Sequence, residues 1–321
     1  GDSLSSYRVA VRRLKEFCGS QPVESFTTTV LKALRQSMID REDLSRKYVN
    51  DQVARIRAIF KWGGENELVP GAVWRDLTAV AALKAGRTNA RETERRESVA
   101  AEHVEAVLPY LSPTVAAMVE LQSLTGMRPD EVCRIRVGDL DISGPTWLYE
   151  LAQHKTSHHG KRRIVPLGPK AQAVVRPFLT ADRERFLFSP KETMTWRSSV
   201  LRAKRKTRVQ PSQQNRRKKN RKRPAGERYT PDSYRRAIQR AIEQANRDIE
   251  EKNLGQPPTR QLPPIPNWFP YQLRHTHSDN VRRRFGEEAA QVSLGHARMD
   301  TTAIYGERNL KLAMDVAREI G

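Results

Sequence analysis

Apolar positions along the first ninety residues recur at helical spacing and are cut by short breaks. Leu4, Tyr7, Val11, Leu14 and Phe17 fall three and four apart before Gly19, which predicts one helix. Thr27–Thr29 offer N-caps to a second, with Val30, Leu31, Leu34 and Met38 on one face. A third starts near Ser45 and carries Tyr48, Val49, Val53, Ile56, Ile59, Phe60 and Trp62, with Gly63-Gly64 expected to end it. A short tail through Trp74, Leu77 and Val80 completes a small all-helical unit over residues 1–83.

Residues 84–98 lack any apolar period and read as a solvated linker; we place the linker at 84–100 and a second domain at 101–321. Helical patterning resumes over Val104–Leu111 and Thr114–Thr125. Gly126 breaks that helix, and Pro129 suits the first turn of the next. Thr146–Leu151 alternates like a strand and Arg163–Leu167 is a second apolar run, so a β-hairpin is expected around the polar loop His154–Lys161. Ala171–Leu179 and Tyr234–Ile249 are helical in pattern, and a Pro-rich connector from Pro257 to Pro270 precedes a run of short helices. The fold class expected is mainly α with a small β-hairpin or sheet (α+β).

Charge then changes the picture. The 321 residues carry 58 Lys+Arg against 37 Asp+Glu, a net charge of +21. Mean hydropathy is −0.71. A surplus of this size repels itself unless a polyanion neutralises it, and nucleic acid is the polyanion whose phosphates release counterions to Lys and Arg. Residues 197–228 concentrate it, with fourteen Lys/Arg against Glu227 alone. The stretch reads as a basic insertion, solvated in the free protein and able to bind phosphates on DNA. No stretch of eighteen apolar residues anchors the chain in a membrane. Cys18 and Cys133 are too few for a disulfide framework or a four-cysteine zinc site, which fits a reducing, cytoplasmic setting. The chain opens Gly1-Asp2-Ser3-Leu4 without a basic-then-apolar leader, so secretion is not expected.

Three separated clusters carry candidate chemistry. In Leu124-Thr125-Gly126-Met127-Arg128-Pro129-Asp130-Glu131, the glycine break presents Arg128 beside a helix start, where backbone N–H groups would seat an anion. Glu131, three residues on, is placed to orient that guanidinium or to face solvent. In Tyr271-Gln272-Leu273-Arg274-His275-Thr276-His277, an inward Leu273 leaves Tyr271 and Arg274 three apart on one helical face. Leu294-Gly295-His296 is followed nine residues later by Tyr305.

Taken in order, Arg128, a Lys on a hairpin, Leu273-Arg274-His275 and Leu294-Gly295-His296 with Tyr305 resemble the tyrosine recombinases, the phage-type integrase family of DNA-breaking and rejoining enzymes. The resemblance spans about residues 101 to 310, and the N-terminal helices are similar to the family's core-binding domain. It implies that Arg128 and Arg274 clamp the non-bridging phosphate oxygens, with His296 as a third donor. It implies that Tyr305 is the nucleophile forming a 3′-phosphotyrosyl link, with neither metal nor cofactor. Lys155, before Thr156, is the implied acid for the leaving 5′-oxygen, and Lys161 on the same loop is the fallback. Where the family usually has His three before the second Arg, this chain has Tyr271, which donates one hydrogen bond but carries no positive charge. His275 and His277 stand nearby to compensate. The clustered His154, His158 and His159 lack acidic or cysteine companions, so no metal is expected. The partner implied is double-stranded DNA, with a monomer free in solution, a homotetramer on paired sites, and a cytoplasmic location that becomes nucleoid-associated on DNA. A DNA-binding protein with weakened catalysis and a relaxing topoisomerase are the alternatives.

Overall fold

The computed structural model describes residues 3–19, 21–94, 97–151, 163–210 and 225–295. The chain divides into two compact units, Gly1–Arg95 and Arg96–Gly321.

The N-terminal unit holds four helices: α1 (Ser3–Cys18), α2 (Thr28–Asp40), α3 (Arg46–Glu65) and α4 (Gly71–Thr78). Thr27 and Ser45 cap α2 and α3 through their hydroxyls, each satisfying an amide that the first turn leaves unpaired. Leu31, Leu34, Met38, Val49, Val53, Ile56, Phe60 and Leu77 form the core, and Phe26 stacks on Phe60 at 4.6 Å between ring centroids. One expectation is corrected. Gly63-Gly64 does not end α3; Gly63 is buried beneath the Val69 side chain, and packing holds the helix through to Glu65. Helix α1 forms as expected and meets the core through Ala10, Leu14 and Cys18, while Leu4 (62% exposed), Tyr7, Val11 and Phe17 are exposed. Of the stretch expected as linker, residues 84–94 lie against this bundle. Ala90 is buried, Arg91 bridges to Ser45, and Arg46 pairs with Glu92 at 2.5 Å.

The C-terminal unit is built around α6 (Pro113–Thr125), preceded by α5 (Ala101–Val107). Val115, Met118, Val119 and Leu121 are buried, as are Thr114 and Gln122, because α6 is covered on nearly all sides. Its neighbours are α7 (Pro129–Arg134), α8 (Pro169–Val175), α9 (Pro190–Ala203), α10 (Pro231–Asn253) and α11 (Pro270–Leu294). Among the described residues every α-helix from α6 onward starts at a proline, whose missing N–H is no loss in the first turn.

An antiparallel sheet of β1 (Leu140–Asp141), β2 (Trp147–Leu151) and β3 (Arg163–Leu167) lies in that order. Tyr149 pairs with Val165 and Leu151 with Arg163, so Trp147, Tyr149, Leu151, Arg163, Val165 and Leu167 share the buried face. The mainly helical α+β class read from the sequence is therefore the observed one. The short helices expected before the C-terminus take the form of α11, in which two helical stretches join across a kink at Gly286, whose φ of 87° is non-helical. One local expectation differs. The basic insertion begins inside α9, a helix capped by Ser189 that carries Arg197 and Arg202 into the basic run. The rest of that run between residues 211 and 224 lies outside the described residues.

A buried polar chain ties α10 to the end of α6. The Tyr234 hydroxyl donates to Gln122 Oε1 at 3.1 Å, and Gln122 Nε2 donates to the Met127 carbonyl at 3.0 Å, one residue before Arg128. Tyr234→Phe strands a buried acceptor and is expected to destabilise this unit by ~1–3 kcal/mol. Urea unfolding of the two proteins reads the difference.

Candidate functional site

The loop between α6 and α7 sets the first arginine. Gly126 ends α6 in the left-handed conformation, φ 62°, and a side chain there would overlap the His277 ring. Arg128 then stands at the start of α7. The Glu131 side chain folds back so that Oε2 accepts the Arg128 amide at 2.9 Å and Oε1 accepts its Nη1 at 2.8 Å. The anion seat expected at this helix start is thus partly filled by the chain's own carboxylate. Glu131 is buried, whereas the Arg128 side chain keeps 32% of its surface open. Burial raises the carboxyl pKa, but Arg163 and Arg128 outweigh it and hold the group below its ordinary value.

The second arginine comes from α11, where Leu273 turns into the core as expected. Arg274 is fully buried. Its Nη1 donates to the Gly126 carbonyl at 2.5 Å and its Nη2 to the Leu294 carbonyl at 2.8 Å. One guanidinium thereby spans the end of α6 and the end of α11. Burial, and then repulsion from Arg128, push its pKa down to about 10, so it remains a cation at neutral pH. Tyr271 sits half-buried one turn earlier on α11, its ring 5.8 Å from that of His275, which is buried.

His277 belongs to the scaffold of this cluster. Its Nδ1 lies 3.1 Å from the Ser123 carbonyl, and its Nε2 lies 2.8 Å from Ser293 Oγ. The carbonyl can only accept, so Nδ1 carries the proton and Nε2 accepts from the serine. Strand β3 supplies Arg163, which the sequence reading did not single out. The signal was its register: a charged residue on the same alternate positions as Val165 and Leu167. Of the residues picked from the sequence, Arg128, Tyr271 and Arg274 are thus brought to one region, with Glu131 between the arginines. Lys155, its fallback Lys161, His296 and Tyr305 lie outside the described residues.

Among the described residues the cluster sets three guanidiniums, Arg128, Arg163 and Arg274, around one carboxylate, Glu131. Positive charge concentrated in a mostly desolvated place favours an anion with two charged or polarised oxygens.

The neutral His277 gives a pH test. Burial is the largest influence on it and lowers its pKa below the ordinary 6.5. The unfolded chain therefore binds a proton that the folded chain refuses, and stability falls as pH drops below that value. Between about pH 7.5 and pH 5.5 the parent should lose more unfolding free energy than His277→Asn, by at most ~1.4 kcal/mol per pH unit. Equal losses would show that His277 titrates normally.

With this geometry in view, the likenesses to known proteins fall into place. The model of the phage integrase family matches residues 97–311. Tyrosine recombinase XerC of Bacillus pumilus is 24% identical over 186 residues, which span 56% of this chain and 57% of that protein, so the match covers little more than half of the relative. The Tn1549 transposon integrase, solved with transposon right end DNA, superposes with a TM-score of 0.64 at 15% identity, over 100% of this chain and 94% of that one. A lambda integrase dimer bound to a core site gives a TM-score of 0.61 at 14% identity, over 94% of this chain and 71% of that one. At these identities the two structures speak for the fold, while the family model covers about two thirds of the sequence. The chain belongs to the phage integrase family of tyrosine recombinases.

Proposed function

We propose that this protein is a site-specific recombinase that cuts and rejoins double-stranded DNA through a 3′-phosphotyrosyl bond at Tyr305. The observation that carries the reading is the pair Arg128 and Arg274, close enough to repel each other and held in place by Glu131 and by the Gly126 and Leu294 carbonyls. A phosphodiester entering there meets preset donors, and the negative charge that builds on its non-bridging oxygens in the transition state is stabilised without reorganisation. In this reading the Tyr305 oxygen attacks phosphorus and the bond to the 5′-oxygen breaks. Lys155 gives that oxygen its proton, and His296 adds a third donor to the phosphate. Attack by a 5′-hydroxyl from the other duplex then releases the tyrosine. Tyr271 contributes one hydrogen bond beside Arg274 and cannot act as a cationic acid.

The same reading makes duplex DNA the partner and assembles four protomers on two paired sites from monomers kept apart by their +21 charge. No helix among the described residues is long and apolar enough to cross a membrane. The proposed place of action is chromosomal or element DNA in the cytoplasm.

The deciding experiment uses a nicked duplex that traps the covalent adduct, analysed on denaturing gels. The parent should form the adduct, and Tyr305→Phe should bind the same DNA within about threefold and form none. Adduct from the Phe variant would move the nucleophile elsewhere. Arg128→Lys and Arg274→Lys keep charge but lose the planar fork, and each should add at least ~2 kcal/mol to the cleavage barrier. Neutralising Arg216, Arg217, Lys218, Lys219, Arg221, Lys222 and Arg223 should weaken specific and random DNA binding alike. The slope of log affinity against log salt should shrink by roughly 0.9 for every phosphate that is no longer neutralised. An unchanged slope would show that these residues do not touch DNA.

A further inference from the structure

Arg163 is the first residue of β3 and is only 6% exposed. A guanidinium so placed is unfavourable unless counter-charge and acceptors reach it, and burial indeed pulls its pKa down. Two features answer it. Its Nε lies 3.8 Å from Glu131 Oε1, on the same carboxylate that holds Arg128. Its two Nη atoms lie 3.4 and 3.5 Å from the Ser293 carbonyl in the last turn of α11. The next carbonyl along, that of Leu294, is the one that accepts from Arg274. The negative end of α11 is thus held by two guanidiniums on successive carbonyls. Gly295 then turns the chain at φ 65°, and any side chain there would overlap the Arg163 guanidinium.

We infer that Arg163 is a positioning residue for strand cleavage: by sharing the Glu131 carboxylate, it leaves the positive charge of Arg128 available to the scissile phosphate. The inference rests on the recombinase reading above and deepens it. Without Arg163, Arg128, already bonded to Glu131 at 2.8 Å, is left to balance the buried carboxylate without that help, and its guanidinium is drawn further toward Glu131 and away from the DNA. The last turn of α11, immediately before Gly295, loses one of its two cationic ties at the same time.

The test compares two nicked duplexes that differ at the scissile position, one an ordinary phosphodiester and one a methylphosphonate. The methylphosphonate lacks a non-bridging anionic oxygen, so its cleavage depends less on the Arg128 charge. Adduct rates and DNA affinities are measured for the parent, Arg163→Lys and Arg163→Met. On the phosphodiester, Arg163→Met should lose at least ~10-fold in rate, and Arg163→Lys should recover part of that loss, with binding within about threefold of the parent. On the methylphosphonate the loss should shrink to about threefold or less, because the charge being protected is no longer needed. A merely structural brace would slow both substrates equally. Equal losses, or Arg163→Lys no better than Arg163→Met, would overturn the inference while leaving the recombinase reading intact. If Arg163→Met does not fold, Arg163→Lys alone still gives the comparison between the two substrates. A parent that forms no adduct on the phosphodiester would overturn both.

Discussion

A carboxylate taken out of water is unfavourable by several kcal/mol unless cations stand beside it, and Glu131 is such a group. Its two oxygens accept the amide and guanidinium of Arg128 and face Arg163. Around this one acid the C-terminal unit joins three separate pieces of chain: the start of α7, the start of β3 and, through Arg163, the end of α11. The Tyr149 hydroxyl, from β2, adds a bond to the Glu131 backbone carbonyl at 3.1 Å. The acid is shared by Arg128 and Arg163, and the third cation, Arg274, is held beside them by the Gly126 and Leu294 carbonyls.

The hydrophobic core serves this arrangement. Helix α6 is covered on nearly all sides, so its end is a fixed point, and the Tyr234–Gln122–Met127 chain fixes the loop that follows. Arg274 and His277, one turn apart on α11, both bind that end of α6 and both reach the far end of their own helix. These contacts hold the end of α6 against α11, next to Arg128.

Much of this was legible beforehand. The Gly126-Met127-Arg128-Pro129 break, the Leu273-Arg274 pair and the alternating strands pointed to the family and to the mainly helical class, because helix stops, proline starts and period-two alternation are local properties. Other features were not legible. Gly63-Gly64 looks like a helix stop and is not one, since burial under Val69 outweighs its poor propensity. Of the apolar positions on α1, Leu14 packs on the core while Leu4 and Tyr7 are exposed, since which side of an amphipathic helix is covered depends on its neighbours. Strand β1 has two residues, too few to show any alternation.

The sequence by itself determined the residue types: a pair of arginines at glycine- and leucine-marked positions, a tyrosine nine residues after a Leu-Gly-His turn, and a basic run with a single acid. Spacing along the chain is enough for those, because a helix turn or a cap is complete within a few residues. Only the tertiary structure decided which charges share an acid. Arg163 is 32 residues from Glu131 and 130 from Ser293, separations over which no local rule relates one side chain to another. Their meeting follows from the register of β3 and the packing of α11 on α6, and it turned an ordinary strand residue into a neighbour of the arginine cluster.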